Sequence, residues 1–93
     1  MKQIPLDCIP YKQTPVFTEA TVPAGLLKSH KTKTGVWGKI VVTEGRLTYR
    51  ILEPIIETHE LSPSQAGVVE PEVKHEVATD GPVKFYVEFL TCA

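Results

Sequence analysis

No run in this sequence approaches the roughly 18 consecutive apolar residues that a membrane-crossing helix needs, so no such helix is expected. No charged segment followed by an apolar stretch opens the chain, which argues against an export signal and for a soluble, cytoplasmic protein with no membrane partner. Cysteine is scarce. Cys8 and Cys92 stand one near each end and form no Cys-x-x-Cys pair. That spacing excludes a disulfide framework and a cysteine zinc site, and it reads as two reduced thiols. A basic excess is missing as well, with 10 Lys+Arg against 11 Asp+Glu and a formal net charge of -1. Lys28, Lys31 and Lys33 lie close together, but Glu53, Glu57, Glu60, Glu70, Glu72 and Glu76 answer them. Neutralising phosphates supplies most nucleic-acid affinity, so no nucleic-acid partner is expected. Gly-rich phosphate loops and Ser or Cys nucleophile elbows are absent too, leaving nucleotide-dependent chemistry no seat.

What the sequence does have is punctuation: 8 prolines and 6 glycines in 93 residues. Long helices do not survive that spacing, because Pro removes a donor and Gly weakens a helix. Between the breaks lie short runs rich in Val, Ile, Thr, Tyr and Phe, which suit a pleated surface. Residues 1–14 read as an extended arm in which Pro5 and Pro10 forbid regular structure, as Pro15 does just beyond. A short turn is expected around Glu19–Leu27, followed by a strand-like segment carrying His30. Val36–Val42 and Leu47–Leu52 read as two strands of a hairpin turning at Glu44-Gly45, since tight turns need a residue that tolerates positive φ. Ile55–Leu61 and Gly67–Val69 are further strands. Val73–Thr79 and Val83–Leu90 read as a second hairpin about Asp80-Gly81. Short strands at regular spacing predict an all-β single domain over residues 15–93, closed as a sandwich or barrel. Its core is small, so a homodimer is expected to bury more apolar surface.

Polar residues on strand faces are the candidates for chemistry. His75 shares a face with Val73 and Val77, while Lys74 and Glu76 point the other way. An inward histidine needs a partner for each ring nitrogen: it is either a metal or substrate ligand or a core histidine satisfied by backbone. His30 lies in the polar stretch Lys28–Lys33 and by itself reads as a surface residue, as does His59. Glu88 alternates with the apolar set Val83, Phe85, Val87 and Phe89, on a face that is either solvated or the lining of a pocket. A carboxylate there would complete a two-histidine, one-carboxylate set suited to Zn, Fe(II), Mn or Ni. Trp37 reads as a packing residue or as the roof of a pocket at a barrel mouth.

Several stretches taken together carry a resemblance. They are Thr14–Phe17, Thr21–Leu27, His30-Lys31-Thr32-Lys33-Thr34-Gly35-Val36-Trp37-Gly38, Val42–Tyr49, Glu70–His75 and Phe85–Phe89. This pattern resembles the tellurite-resistance-associated cupin-like domain family (the TehB N-terminal or YeaR-like domain), found alone or ahead of a methyltransferase. The resemblance implies a cupin-like jelly-roll β-barrel and an association with tellurite or oxyanion stress. It places His30 and His75 at the family's two histidine positions and Glu88 at the acidic position of the last strand. Ser29 and Lys31 flank a lone His30, unlike the His-x-His of ordinary cupins. No Gly-rich loop for S-adenosylmethionine is visible, so methyl transfer is not expected of this chain alone.

Three functions follow as expectations. The leading one is a binding module holding a divalent metal or small ligand at the barrel mouth through His30, His75 and Glu88, with Trp37 in the wall. The second is a metal-dependent cupin oxygenase, isomerase or reductase acting on a small molecule. The third is a structural or interaction module whose histidines are merely buried.

Overall fold

A computed structural model describes Met1 to Cys92. Among the described residues six strands and one 3₁₀ turn follow in order: β1 (Cys8–Gln13), β2 (Phe17–Thr18), the turn (Ala24–Leu27), β3 (Val36–Ile51), β4 (Glu57–Leu61), β5 (Gly67–Val69) and β6 (His75–Cys92). The organising unit is the ribbon of β3 and β6. These long strands pair antiparallel from Val36 opposite Thr91 to Ile51 opposite His75. The free edge of β3 carries β5 on its first half and β4 on its second. The free edge of β6 carries β1 and β2 towards its C-terminal end and an isolated bridge from His30 at its start.

The ribbon bends at its waist, and the sequence shows why. In β3 the buried residues are Gly38, Ile40 and Val42, then Leu47, Tyr49 and Ile51. Strand side chains alternate with period 2, so this change from even to odd numbers requires extra residues to be absorbed between the two sets. The register shifts between Val42 and Glu44 and again between Gly45 and Leu47. The bend turns the two halves of the ribbon towards each other. Tyr49 Oη, from the second half, donates to the carbonyl of Val68 beside the first half at 2.9 Å. The core is the shared inner face, where Leu47, Leu61 and Phe85 are completely buried.

The expected hairpins are therefore corrected. Glu44-Gly45 does not reverse the chain, and neither does Asp80-Gly81: β3 and β6 run through both sites, and each half pairs with the other strand. A positive-φ glycine serves a bulge as well as a turn, and Gly45 (φ 79) is used in a bulge. The expected barrel is corrected too. The sheet runs β1-β6-β3-β4 and stops, with β1 and β4 as open edges. Folding one bent ribbon on itself encloses the core without the edges having to meet.

Two expectations about the N-terminal segment also change. Pro10 does not prevent structure: it lies within β1, opposite Leu90, with a register shift between it and Lys12. An edge strand tolerates proline because one row of its donors has no partner to serve. That pairing sets Cys8 directly opposite Cys92, and the two are joined as a disulfide rather than standing as separate thiols. Distance along the sequence concealed a cross-strand neighbour. No helix among the described residues is long and apolar enough to cross a membrane.

Candidate functional site

Between the facing halves lies a cavity of about 240 Å³. Ile40, Val69, Val77, Phe85, Val87 and Phe89 form its walls, and Phe17, Pro23 and Leu26 cover it from the segment between β1 and β3. Its polar contributors are Thr14, Thr32, His30 and His75. The alternation in β6 that gives the fold its core therefore also gives the cavity its wall. The alternation that puts Phe85, Val87 and Phe89 on one face is visible in the sequence, but no local signal distinguishes a filled core from the wall of a cavity.

The histidines meet there. His30 and His75 exchange both backbone hydrogen bonds, each 2.8 Å. Their rings stand edge to face, with centroids 5.4 Å apart and planes at 82°. His75 is only 4% exposed, whereas His30 is exposed at the cavity rim. The His75 ring also packs edge-on against Tyr49, with centroids 5.8 Å apart. Its Nδ1 lies 3.0 Å from the carbonyl oxygen of Val73. Burial pushes the His75 pKa below its ordinary value; the Val73 carbonyl opposes that shift and the nearby His30 adds to it.

The sign of this shift gives an expected pH dependence. Below about pH 6.5 an unfolded histidine takes up a proton, while His75 in the folded protein stays neutral until a lower pH. The unfolded state then binds more protons, so stability falls as pH drops through this window, by at most about 1.4 kcal/mol per pH unit for one group. Urea unfolding of wild type and His75→Phe between pH 7 and about pH 5 checks it. The wild type should lose stability more steeply than the variant; parallel curves would show that His75 is not held neutral.

The remaining expected site residues do not reach the cavity. Glu88 sits opposite Lys39 and next to Gln13, on the outer face of the sheet. Its neighbours Val87 and Phe89 take the inner positions, so the pleat directs the carboxylate away from both imidazoles. Trp37 lies opposite Leu90, one residue out of phase with the cavity-lining Gly38, and does not form the wall. His59, which was not expected to be a site residue, also lies outside the cavity, its Nε2 3.1 Å from Glu57 Oε1. The two-histidine, one-carboxylate set is thus not assembled. Zinc sites take three or four protein ligands, and two imidazoles fall short of that. Among the described residues one trio of metal-ligating side chains does gather, Asp7, Cys8 and Cys92, but its sulfurs are bonded to each other.

Thr32 explains how the His30 segment is held against the sheet. It is buried, and its hydroxyl donates to the carbonyl of Val36 at 2.8 Å, closing a tight loop over residues 32–36. Thr14 does the same on the other side: its Oγ1 accepts from the Val87 amide at 2.9 Å while its own amide donates to the Val87 carbonyl.

Comparison with known proteins agrees with this architecture. The TehB-like domain family matches residues 12–87. Two Haemophilus influenzae proteins (strains Rd and 10810), each described as a probable S-adenosyl-L-methionine-dependent methyltransferase TehB, are 39% and 36% identical over 75 residues. Each match takes in 76% of this chain and 26% of the relative, so the chain spans about a quarter of their length. The crystal structure of TehB from Haemophilus influenzae has a TM-score of 0.83 at 32% identity, covering 94% of this chain and 32% of that one. A crystal structure of a protein from Escherichia coli strain K12 has a TM-score of 0.86 at 26% identity, covering 100% of this chain and 99% of its own. The resemblance read from the His30–Gly38 and Phe85–Phe89 stretches is therefore upheld at the level of the family. The chain belongs to the TehB-like domain family.

Proposed function

We propose that this domain is a binding module that takes a small, largely apolar molecule into the cavity between the ribbon halves, with His75 as its polar anchor and His30 at the entrance. The observation that carries this reading is the cavity itself, about 240 Å³ and lined almost wholly by hydrocarbon. Ligand sites are concave, mostly apolar and furnished with a few convergent polar groups. A cavity of roughly 150 Å³ takes benzene, so this one suits a substituted monocyclic molecule or an aliphatic one of similar bulk. Metal-dependent catalysis ranks below binding because Glu88 faces the other way. The relatives named as methyltransferases suggest the setting: a module of this kind would hold a small substrate or product for such an enzyme, in the cytoplasm, during tellurite or oxyanion stress.

Filling the cavity tests the proposal. Phenol and toluene, titrated separately into the labelled protein, should shift the backbone amides of Ile40, Val69, Val77 and Phe89 saturably in a two-dimensional NMR spectrum. Val77→Phe, which places a ring in the space, should abolish both responses while leaving a folded spectrum. Shifts that never saturate, or that survive in a folded Val77→Phe, would sink the proposal.

A further inference from the structure

We infer that the cavity selects an uncharged molecule bearing a hydrogen-bond donor, an O–H, N–H or S–H that it presents to the bare Nε2 of His75. The inference deepens the binding reading above and rests on it. It begins with the Val73 carbonyl. A carbonyl oxygen only accepts, so the 3.0 Å contact requires the proton on His75 Nδ1. A neutral imidazole carries one ring proton, and with it on Nδ1 the Nε2 is a lone-pair acceptor. Nothing in the cavity favours the cation: no carboxylate belongs to its lining, and the residue is buried.

The two threonines of the lining have their protons committed, and the His30 ring, at the exposed rim, makes an edge-to-face contact with His75 but no hydrogen bond to it. Thr32 Oγ1 donates to Val36, and Thr14 Oγ1 donates to the carbonyl of Pro15 at 2.9 Å. Tyr49, whose ring touches His75, gives its proton to Val68. His75 Nε2 has no partner among the described residues, yet no fully hidden side-chain nitrogen or oxygen among them is left unsatisfied. The atom is therefore not sealed in, and the open space that His75 borders is this cavity. An acceptor in an apolar space is matched by a ligand that gives a proton in a hydrogen bond. A hydrocarbon leaves it unpaired, and a carboxylate offers it a second acceptor while losing its own hydration.

Two independent measurements test this. The first needs no variant: the imidazole ¹⁵N spectrum of the wild-type protein at neutral pH should show His75 protonated on Nδ1 and bare on Nε2. A His75 protonated on Nε2 overturns the inference. The second compares phenol, toluene and benzoate as probes of wild type and His75→Phe by the same amide shifts. The ratio of phenol to toluene affinity should fall about tenfold in the variant, the worth of one well-made buried hydrogen bond. Benzoate should bind wild type more weakly than phenol. An unchanged ratio, or benzoate as the tightest of the three, overturns the inference while leaving the cavity a binding site. Failure of every probe to bind wild type overturns the binding reading itself, and the inference with it.

Discussion

Truncating Phe85 to alanine should lower the unfolding free energy by about 3–5 kcal/mol, the usual cost of removing a fully buried aromatic ring. Phe85 has no exposed surface, lies opposite both Val42 and Phe17, and meets the Phe17 ring at 5.7 Å with planes at 62°. Its position adds a second consequence. The ring forms part of the cavity wall, so its removal joins a new void to an existing one. Surrounding side chains already border open space and have little to collapse onto, which places the cost at the upper end of that range. For a domain of this size the melting temperature falls by roughly 4–8 °C per kcal/mol. Thermal and urea unfolding read the loss directly, and phenol should recover part of it by occupying the enlarged space. A cost below about 1 kcal/mol would mean that the inner face of the ribbon is not the core.

Gly45→Ala should be the most damaging glycine substitution at the waist. A Cβ placed there would lie 2.2 Å from the carbonyl oxygen of Pro82 and 3.1 Å from Val83 Cα, and Gly45 has a φ of 79°. The backbone conformation alone costs an alanine roughly 1–2 kcal/mol. The contacts add to this, because the obstructing atoms are backbone and move only if the paired strands separate. We expect a loss of more than about 2 kcal/mol by urea unfolding. Gly81→Ala supplies the control: its φ of 116° carries strain, but no atom lies within 4 Å of the added carbon. Gly25→Ala meets open space and should be nearly silent. The order Gly45, Gly81, Gly25 separates close approach from conformation. Equal effects at Gly45 and Gly81 would show that the waist is looser than its hydrogen-bond register implies.

The same waist shows how far the sequence could be read. Strand runs such as Val36–Val42, Leu47–Ile51 and Val83–Leu90 were legible because each alternates locally, and so was the inward direction of His75 between Val73 and Val77. What joins the runs was not legible in the same way. Glu44-Gly45 satisfies the dihedral demand of a tight turn and of a bulge alike, and only the change of buried parity between Val42 and Leu47 distinguishes them. A turn would have returned Leu47–Ile51 along Val36–Val42, yet both lie against β6. Partner choice across 40 or more positions, as between Val36 and Thr91, has no local signature. For the site, His75 was found through its local alternation, whereas His30 joined it only through the family resemblance. Glu88 was misplaced because a carboxylate beside an apolar strand face looks the same whether that face borders a cavity or solvent.

The bond between Cys8 and Cys92 makes the intervening length, a separation of 84 residues, into a covalent ring. Asp80, Gly81 and Pro82 project from that ring as an exposed knuckle opposite Arg46. One cut at the knuckle would open the circle without dividing the molecule. Its two pieces would stay tethered through sulfur, and a thiol reductant would be needed to part them.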